Sequence, residues 1–175
     1  MKQILTTKRL ILRELTPGDY DALCVMLRNK DVMYAYEHAF SAEEARGWLN
    51  RQLDRYKTDG FGLWAVILRE NGRLIGQCGI TKQDVGGKTV GEVGYIFDKN
   101  FRHWGYAADA GAACKNYAFD VLGESEVYSI IRVGNEASVK VALANGMKPV
   151  GQIIKHYYGM DMPHLVFQAK NRESD

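Results

Sequence analysis

Arg102, Gly105 and Ala107 sit in the stretch FRHWGYAADAGAAC (101–114), where residue types and spacing point most directly to chemistry. Upstream, VGEVGYIF (90–97) reads as an apolar, β-prone strand. Downstream, AADAGAACKNYAFDVLG has helical periodicity through Tyr117, Phe119, Val121 and Leu122, with Gly123 as its C-cap. A strand that becomes a helix through small residues leaves the first helical N–H groups bare, and the helix dipole favours negative charge there. Without side-chain bulk at 105 and 107, those amides can approach a phosphate, while Arg102 adds charge or holds the loop. Close packing of the helix on a sheet accounts for Ala110, Gly111, Ala112 and Ala113 without any ligand.

Three further groups carry chemistry. Glu92 is the one carboxylate in an otherwise apolar strand, which makes it a candidate general base; the plainer alternative is an exposed residue near the strand's start. Asn135 and Ser138 stand three apart at a helix start, where a simple N-cap explains both and ligand contact is the competing reading. His38, His156 and His164 lie in or beside two aromatic-rich segments, YAYEHAF (34–40) and HYYGMDMPH (156–164), which read as loops suited to clamping an amine. Their spacing does not suggest a metal site, and no metal is expected. VGGKTV (85–90) imitates a phosphate-binding P-loop, but Lys82 stands where that motif needs Gly and a strand follows instead of a helix. Cys78 and Cys114 have no evident base beside them and read as packing residues.

The elements that must position these residues follow from pattern. KRLILREL (8–15) alternates as a half-buried strand, and Pro17 opens a short amphipathic helix. Ser41 and Glu44 have capping-box spacing at the head of a helix closing on Gly60. Asn71-Gly72 and Gly86-Gly87 are hairpin turns between strands. EVYSIIRV, EASVKVALANG, KPVGQIIK and HLVFQAK then read as strand, helix, strand and strand. The order β-α-α-β-β-β-α-β-α-β-β predicts an α/β fold: one mixed, mostly antiparallel sheet flanked by helices, forming a single domain over 1–175.

Composition excludes several classes. A net charge of +2 with scattered Lys and Arg gives no nucleic-acid footprint. No apolar run approaches a membrane span, and the first fifteen residues lack a signal-peptide core. Three widely separated cysteines suit a reducing, cytoplasmic setting.

EVGYIFDKNFRHWGYAADAGAACKNYAF resembles the acetyl-CoA-binding segment of the GNAT superfamily of N-acetyltransferases, whose Q/R-x-x-G-x-G/A hallmark is met by Arg102, Gly105 and Ala107. TKRLILREL is similar to the opening strand of the RimJ/RimL-like branch, which acetylates ribosomal-protein N-termini. NEASVKVALANGMKPVGQ (135–152) resembles that branch's N-x-x-S helix. Met147 stands for a commoner Phe, Asp109-Ala110 replaces a usual T/S-E pair, and 153–164 follows no general pattern.

The resemblance implies a GNAT-like acyl-CoA N-acyltransferase fold and acetyl-CoA as co-substrate. It implies that the pyrophosphate lies against the amides of Arg102, His103, Trp104, Gly105, Tyr106 and Ala107. The pantetheine arm would pair with the backbone of Tyr95, Ile96 and Phe97, and Asn135 would bond the pantetheine or the acceptor. An amine would attack directly through a tetrahedral intermediate, with Glu92 as base and Ser138 as donor to the departing thiolate; the Tyr that many relatives use for this is Ala142 here. At pH 7 an α-amine of pKa about 7.8 is about 15% neutral and a lysine about 0.04%, a gap of roughly 3.5 kcal/mol, so a weak base suffices for an α-amine. The acceptor is a protein N-terminal α-amine or a small amine such as an amino acid, polyamine or aminoglycoside. A non-catalytic CoA-binding sensor or scaffold is the alternative from another class. Many members of the superfamily associate through their sheets, so a homodimer is an expectation.

Overall fold

The structure, a computed structural model, describes residues 2–171. The first half runs β1 (Gln3–Thr6), β2 (Leu10–Arg13), α1 (Tyr20–Leu27), α2 (Ala42–Thr58), β3 (Leu63–Leu68), β4 (Leu74–Val85) and β5 (Lys88–Phe97). The second runs α3 (Tyr106–Asp120), β6 (Glu126–Arg132), α4 (Glu136–Ala144), β7 (Lys148–Tyr157) and β8 (Met160–Lys170). Among the described residues the strands form one sheet in the order β1-β2-β3-β4-β5-β6-β8-β7, antiparallel everywhere except between β5 and β6.

Both faces of the sheet are covered at its centre, which is why β3 is buried at every position and shows no polar alternation. Trp64, Val66 and Leu68 join Ala110, Cys114 and Ala118 of α3 on one face, while Ala65 and Ile67 join Leu23 and Met26 of α1 and Leu49 of α2 on the other. The small residues of α3 therefore serve close packing, as their composition suggested. Gly79 is a second point of close approach: a Cβ there would lie 2.0 Å from the Gly62 carbonyl oxygen, so the chain entering β3 meets β4 only over a bare backbone.

The punctuation in the sequence is honoured. Ser41 and Glu44 form a reciprocal capping box on α2. Gly72, Gly86 and Gly87 take left-handed backbone angles in the two hairpin turns. Two elements differ from expectation. Residues 3–6 form an additional edge strand, because β2 has an open side that a four-residue segment can pair. Residues 156–164, expected as loop, belong mostly to a long β7–β8 hairpin turned at Tyr158-Gly159, whose register runs unbroken from Gly151↔Val166 to Tyr157↔Met160 and shifts by one residue between Pro149 and Gly151.

What positions the site is the parting of β5 and β6. Their parallel pairing has a single register point, Glu92↔Tyr128, although β6 pairs with β8 along its whole length. Beyond that point side chains bridge the two strands: Ser129 Oγ donates to the Val93 carbonyl at 2.9 Å, and the Ile130 N–H donates to Glu92 Oε1 at 3.3 Å.

Candidate functional site

At the parting of the strands lies a cavity of about 450 Å³. Its walls come from segments far apart in the chain: Tyr36 and Phe40, α2, Thr81 and Gln83 of β4, residues 92–95 of β5, the start of α4, and the β7–β8 hairpin. Of the residues expected to act, Glu92, Tyr95, Asn135 and Ser138 line this one space.

Glu92 is not a solvated residue at the end of a strand. Its carboxylate accepts from Ile130 N–H and, at 3.4 Å, from Thr81 Oγ1. Burial pushes its carboxyl above the usual carboxylate range, against the opposing pull of Lys155, these hydrogen bonds and Arg55. Tyr36 stands across the cavity, its phenol pushed up first by burial and then by the Glu92 charge, so it remains a neutral hydroxyl.

Asn135 is an N-cap: its side-chain oxygen accepts from the Ser138 N–H at 3.2 Å and also from Tyr34 Oη at 2.7 Å. That oxygen is therefore committed, and what Asn135 has left to offer a ligand is its amide N–H pair. Tyr95 Oη donates to the Ser138 carbonyl at 2.9 Å, tying α4 to β5, while burial pushes its own ionisation up. The Ser138 side chain itself makes no hydrogen bond among the described residues.

The structure does not bring Ile96 and Phe97 into the cavity. Their side chains are buried in the cores on opposite faces of the sheet, so backbone alone is available from them. Residues 102–107 lie beyond the end of β5. His103 and Gly105 are both left-handed there, with φ of 67° and 77°. Gly105 is the N-cap of α3 and supplies no side-chain cap, in contrast to Ser41 on α2 and Asn135 on α4. Tyr106 and Ala107 form the first turn of α3, whose amides have no intrahelical partner.

Arg102 donates to the Asp31 carbonyl at 2.8 Å, so it holds the loop. The cation at the start of α3 is one that sequence reading missed. Arg9 donates to the Trp104 carbonyl at 2.8 Å, pairs with Asp109 at 3.2 Å and lies 4.7 Å from the Tyr106 ring centroid. It neutralises the carboxylate in the first turn of α3. Its place some hundred residues upstream gave no local signal.

His164 lines the cavity with its Nδ1 at 2.8 Å from the Met162 carbonyl oxygen, and burial holds its pKa below the usual histidine value. His38 and His156 pair with Glu44 and Asp161 outside it. Cys78 and Cys114 are buried in the core, Sγ to Sγ 3.5 Å apart, and away from the cavity.

Comparison with known proteins gives consistent results. The family described as acetyltransferase (GNAT) domain matches residues 9–148. An uncharacterised protein of Bacillus subtilis, YkkB, is 36% identical over 149 residues, covering 83% of this chain and 86% of its own. The crystal structure of a GNAT-family acetyltransferase from Bacillus anthracis superimposes with a TM-score of 0.80 at 22% identity, covering 95% of this chain and 97% of that one. RimL, the ribosomal L7/L12 α-N-protein acetyltransferase, in complex with coenzyme A gives 0.76 at 16% identity, covering 97% and 98%. The last two likenesses establish the fold.

Proposed function

The chain belongs to the GNAT acetyltransferase family and is an acetyl-CoA-dependent N-acetyltransferase; from that premise we propose that it acetylates a primary amine held against Glu92, in the manner of the RimJ/RimL-like branch. The observation that carries the proposal is the position of Glu92: a half-buried carboxylate at the last paired point of β5 and β6, in one cavity with Tyr95, Asn135 and Ser138.

The residues present suit the co-substrate. The uncapped, left-handed Gly105 and the amides through Ala107 form an anion cradle for a pyrophosphate. The backbone of Tyr95, Ile96 and Phe97, left without β6 as a neighbour, offers a strand edge to an amide-bearing arm. Acetyl-CoA supplies the acetyl thioester on which the amine nitrogen acts directly. Glu92, its carboxyl held above the usual carboxylate range by burial, takes the amine's proton, directly or through water. An N–H of β5 stabilises the oxyanion, and the Ser138 hydroxyl donates to the departing sulfur. The acceptor class is a protein N-terminal α-amine or a small amine; the similarity of the sequence to the RimJ/RimL-like branch supports the former.

The chain acts as one catalytic unit over 1–175, in the cytoplasm, where its three unpaired cysteines remain reduced. Two copies associate through the sheet edge at β7, which exposes Val150 and Ile154.

The test is a thermal-shift titration with acetyl-CoA on wild type and on Gly105→Glu, with ATP and NAD as controls. At a hundred times the dissociation constant, acetyl-CoA should stabilise wild type by about 2.7 kcal/mol. The variant, with a carboxylate in the cradle, should lose the shift. An equal shift in the variant would remove the cradle from 102–107.

A further inference from the structure

The cavity around Glu92 is unbalanced in charge. Arg51, Arg55, Lys155 and Arg132 line it, and Glu92 is the sole carboxylate among the described lining residues. Arg132 is neutralised by Glu37. The other three have no carboxylate within ion-pair distance among the described residues. Arg55 Nη1 donates to Gln52 Oε1 at 3.3 Å, Lys155 Nζ to Gln83 Oε1 at 3.4 Å, and the Arg51 guanidinium lies 5.6 Å from the Trp48 ring centroid. Neutral partners of this kind orient a cation and leave its charge whole. Arg51 is exposed and also borders a recess lined by Glu43 and Glu44, so the weight falls on half-buried Arg55 and Lys155.

These cations are not placed for the phosphates of the co-substrate. From Glu92 to Phe97, where β5 ends, is five residues, roughly 17 Å of strand, and the cradle at 102–107 lies past that end. Arg55 and Lys155 are close enough to Glu92 to bias its ionisation, so they surround the acceptor's end of the cavity. Cations drawn out of water without counter-charge are costly, and a ligand anion offsets that cost.

We propose that the acceptor is an amine bearing its own carboxylate: its nitrogen at Glu92, its carboxylate between Arg55 and Lys155. The inference rests on the acetyl-transfer reading and narrows it. Polyamines and aminoglycosides, which would add positive charge beside these three cations, are disfavoured. Two sources share the required chemistry, a free amino acid and a protein N-terminus that begins with Asp or Glu.

The experiment measures CoA release at saturating acetyl-CoA for each α-amino acid against its carboxamide, and for short peptides beginning Asp, Glu or Ala. The carboxamide amine is the less basic of each pair, so intrinsic reactivity runs against the expected result. The free acid, or the acidic peptide over the Ala peptide, should lead in kcat/KM by tenfold or more, mainly through KM. Lys155→Gln and Arg55→Gln should each bring that ratio toward one, and Lys155→Glu should favour cationic amines. Circular dichroism and Tm confirm that each variant is folded. Discrimination confined to peptides would identify the protein N-terminus as the source, and discrimination among free acids the small molecule. Equal rates for acid and amide, an unchanged ratio in all three variants, or no turnover by a chain that acetyl-CoA still stabilises would overturn the anion subsite. Failure of acetyl-CoA to stabilise wild type would instead strike the transfer reading itself.

Discussion

At the scale of single residues, Glu92 carries opposing demands, and they can be separated. Its carboxyl is raised above the ordinary value of 4.5, chiefly by burial. Between that value and the raised one, the folded chain binds more protons than the unfolded, so this group's contribution to stability declines as pH rises through the window. At pH 8 the ionised carboxylate therefore costs stability, and Glu92→Gln should leave Tm unchanged or higher. The same substitution should lower kcat by about a hundredfold, the lower end for a general base, because an α-amine needs only weak assistance. In wild type both base and amine must lose a proton, so log kcat/KM should climb with a slope of two below the Glu92 pKa; the variant should climb with a slope of one. A variant with the wild-type profile would return Glu92 to a structural role. The role of Asn135 is legible in the sequence only by halves. Its cap was visible three residues from Ser138, whereas the Tyr34 hydroxyl that shares its oxygen comes from 101 positions away.

At the scale of elements, local chemistry and sequence agree closely. The capping box at Ser41, the two glycine turns and the strand-to-helix junction at Gly105 were readable because each is decided by residues within a few positions of one another. The strand at 3–6 and the hairpin at 156–164 were not, since an edge strand and an exposed hairpin take their structure from the partner strand and show little periodicity of their own. The entry to α1 shows how an element is fixed to the sheet. Arg13 of β2 makes two 2.8 Å hydrogen bonds to Asp19, and the Thr16 N–H donates to the same carboxylate at 2.7 Å. Burial is the largest influence on Asp19 and would raise its pKa, but these bonds together outweigh it and hold the carboxyl below its usual range. The stabilisation is present above the ordinary value and lost as pH falls through the lowered one. Asp19→Asn leaves Arg13 without its counter-charge and should cost about 3 kcal/mol near neutrality, or roughly 6–12 °C in Tm for a domain of this size. Stability curves of variant and wild type should converge in acid. Parallel curves down to the lowest pH would show that the pair contributes packing alone.

At the scale of the whole molecule, the cavity is a meeting of distant segments, and this is why its cations escaped sequence reading. Arg55 and Lys155 are a hundred residues apart, each ordinary in its own element, and only the order β5-β6-β8-β7 carries the hairpin round to face α2. The hairpin also completes the cavity's wall. Tyr158, at its tip, meets His38 edge-to-face with ring centroids 4.9 Å apart, joining β7–β8 to the 34–40 segment across the opening. Tyr158 is more than half exposed and holds a left-handed φ of 54°, a conformation that costs a non-glycine residue about 1 kcal/mol or more. A tyrosine kept at that angle is poorly explained by stability, because glycine adopts it freely. Tyr158→Gly sets the relief of that strain against one exposed aromatic contact worth about 0.5–1.5 kcal/mol, so Tm should stay within a few degrees of wild type. Function should not be spared in the same way. The acceptor's KM should rise severalfold as its wall is lost, while stabilisation by acetyl-CoA, for which the proposed cradle at 102–107 lies past the far end of β5, should persist. If KM held steady while Tm fell, the contact would be a fold-stabilising clasp, and the acceptor would be gripped by Tyr36, Arg55 and Lys155 without help from the hairpin tip.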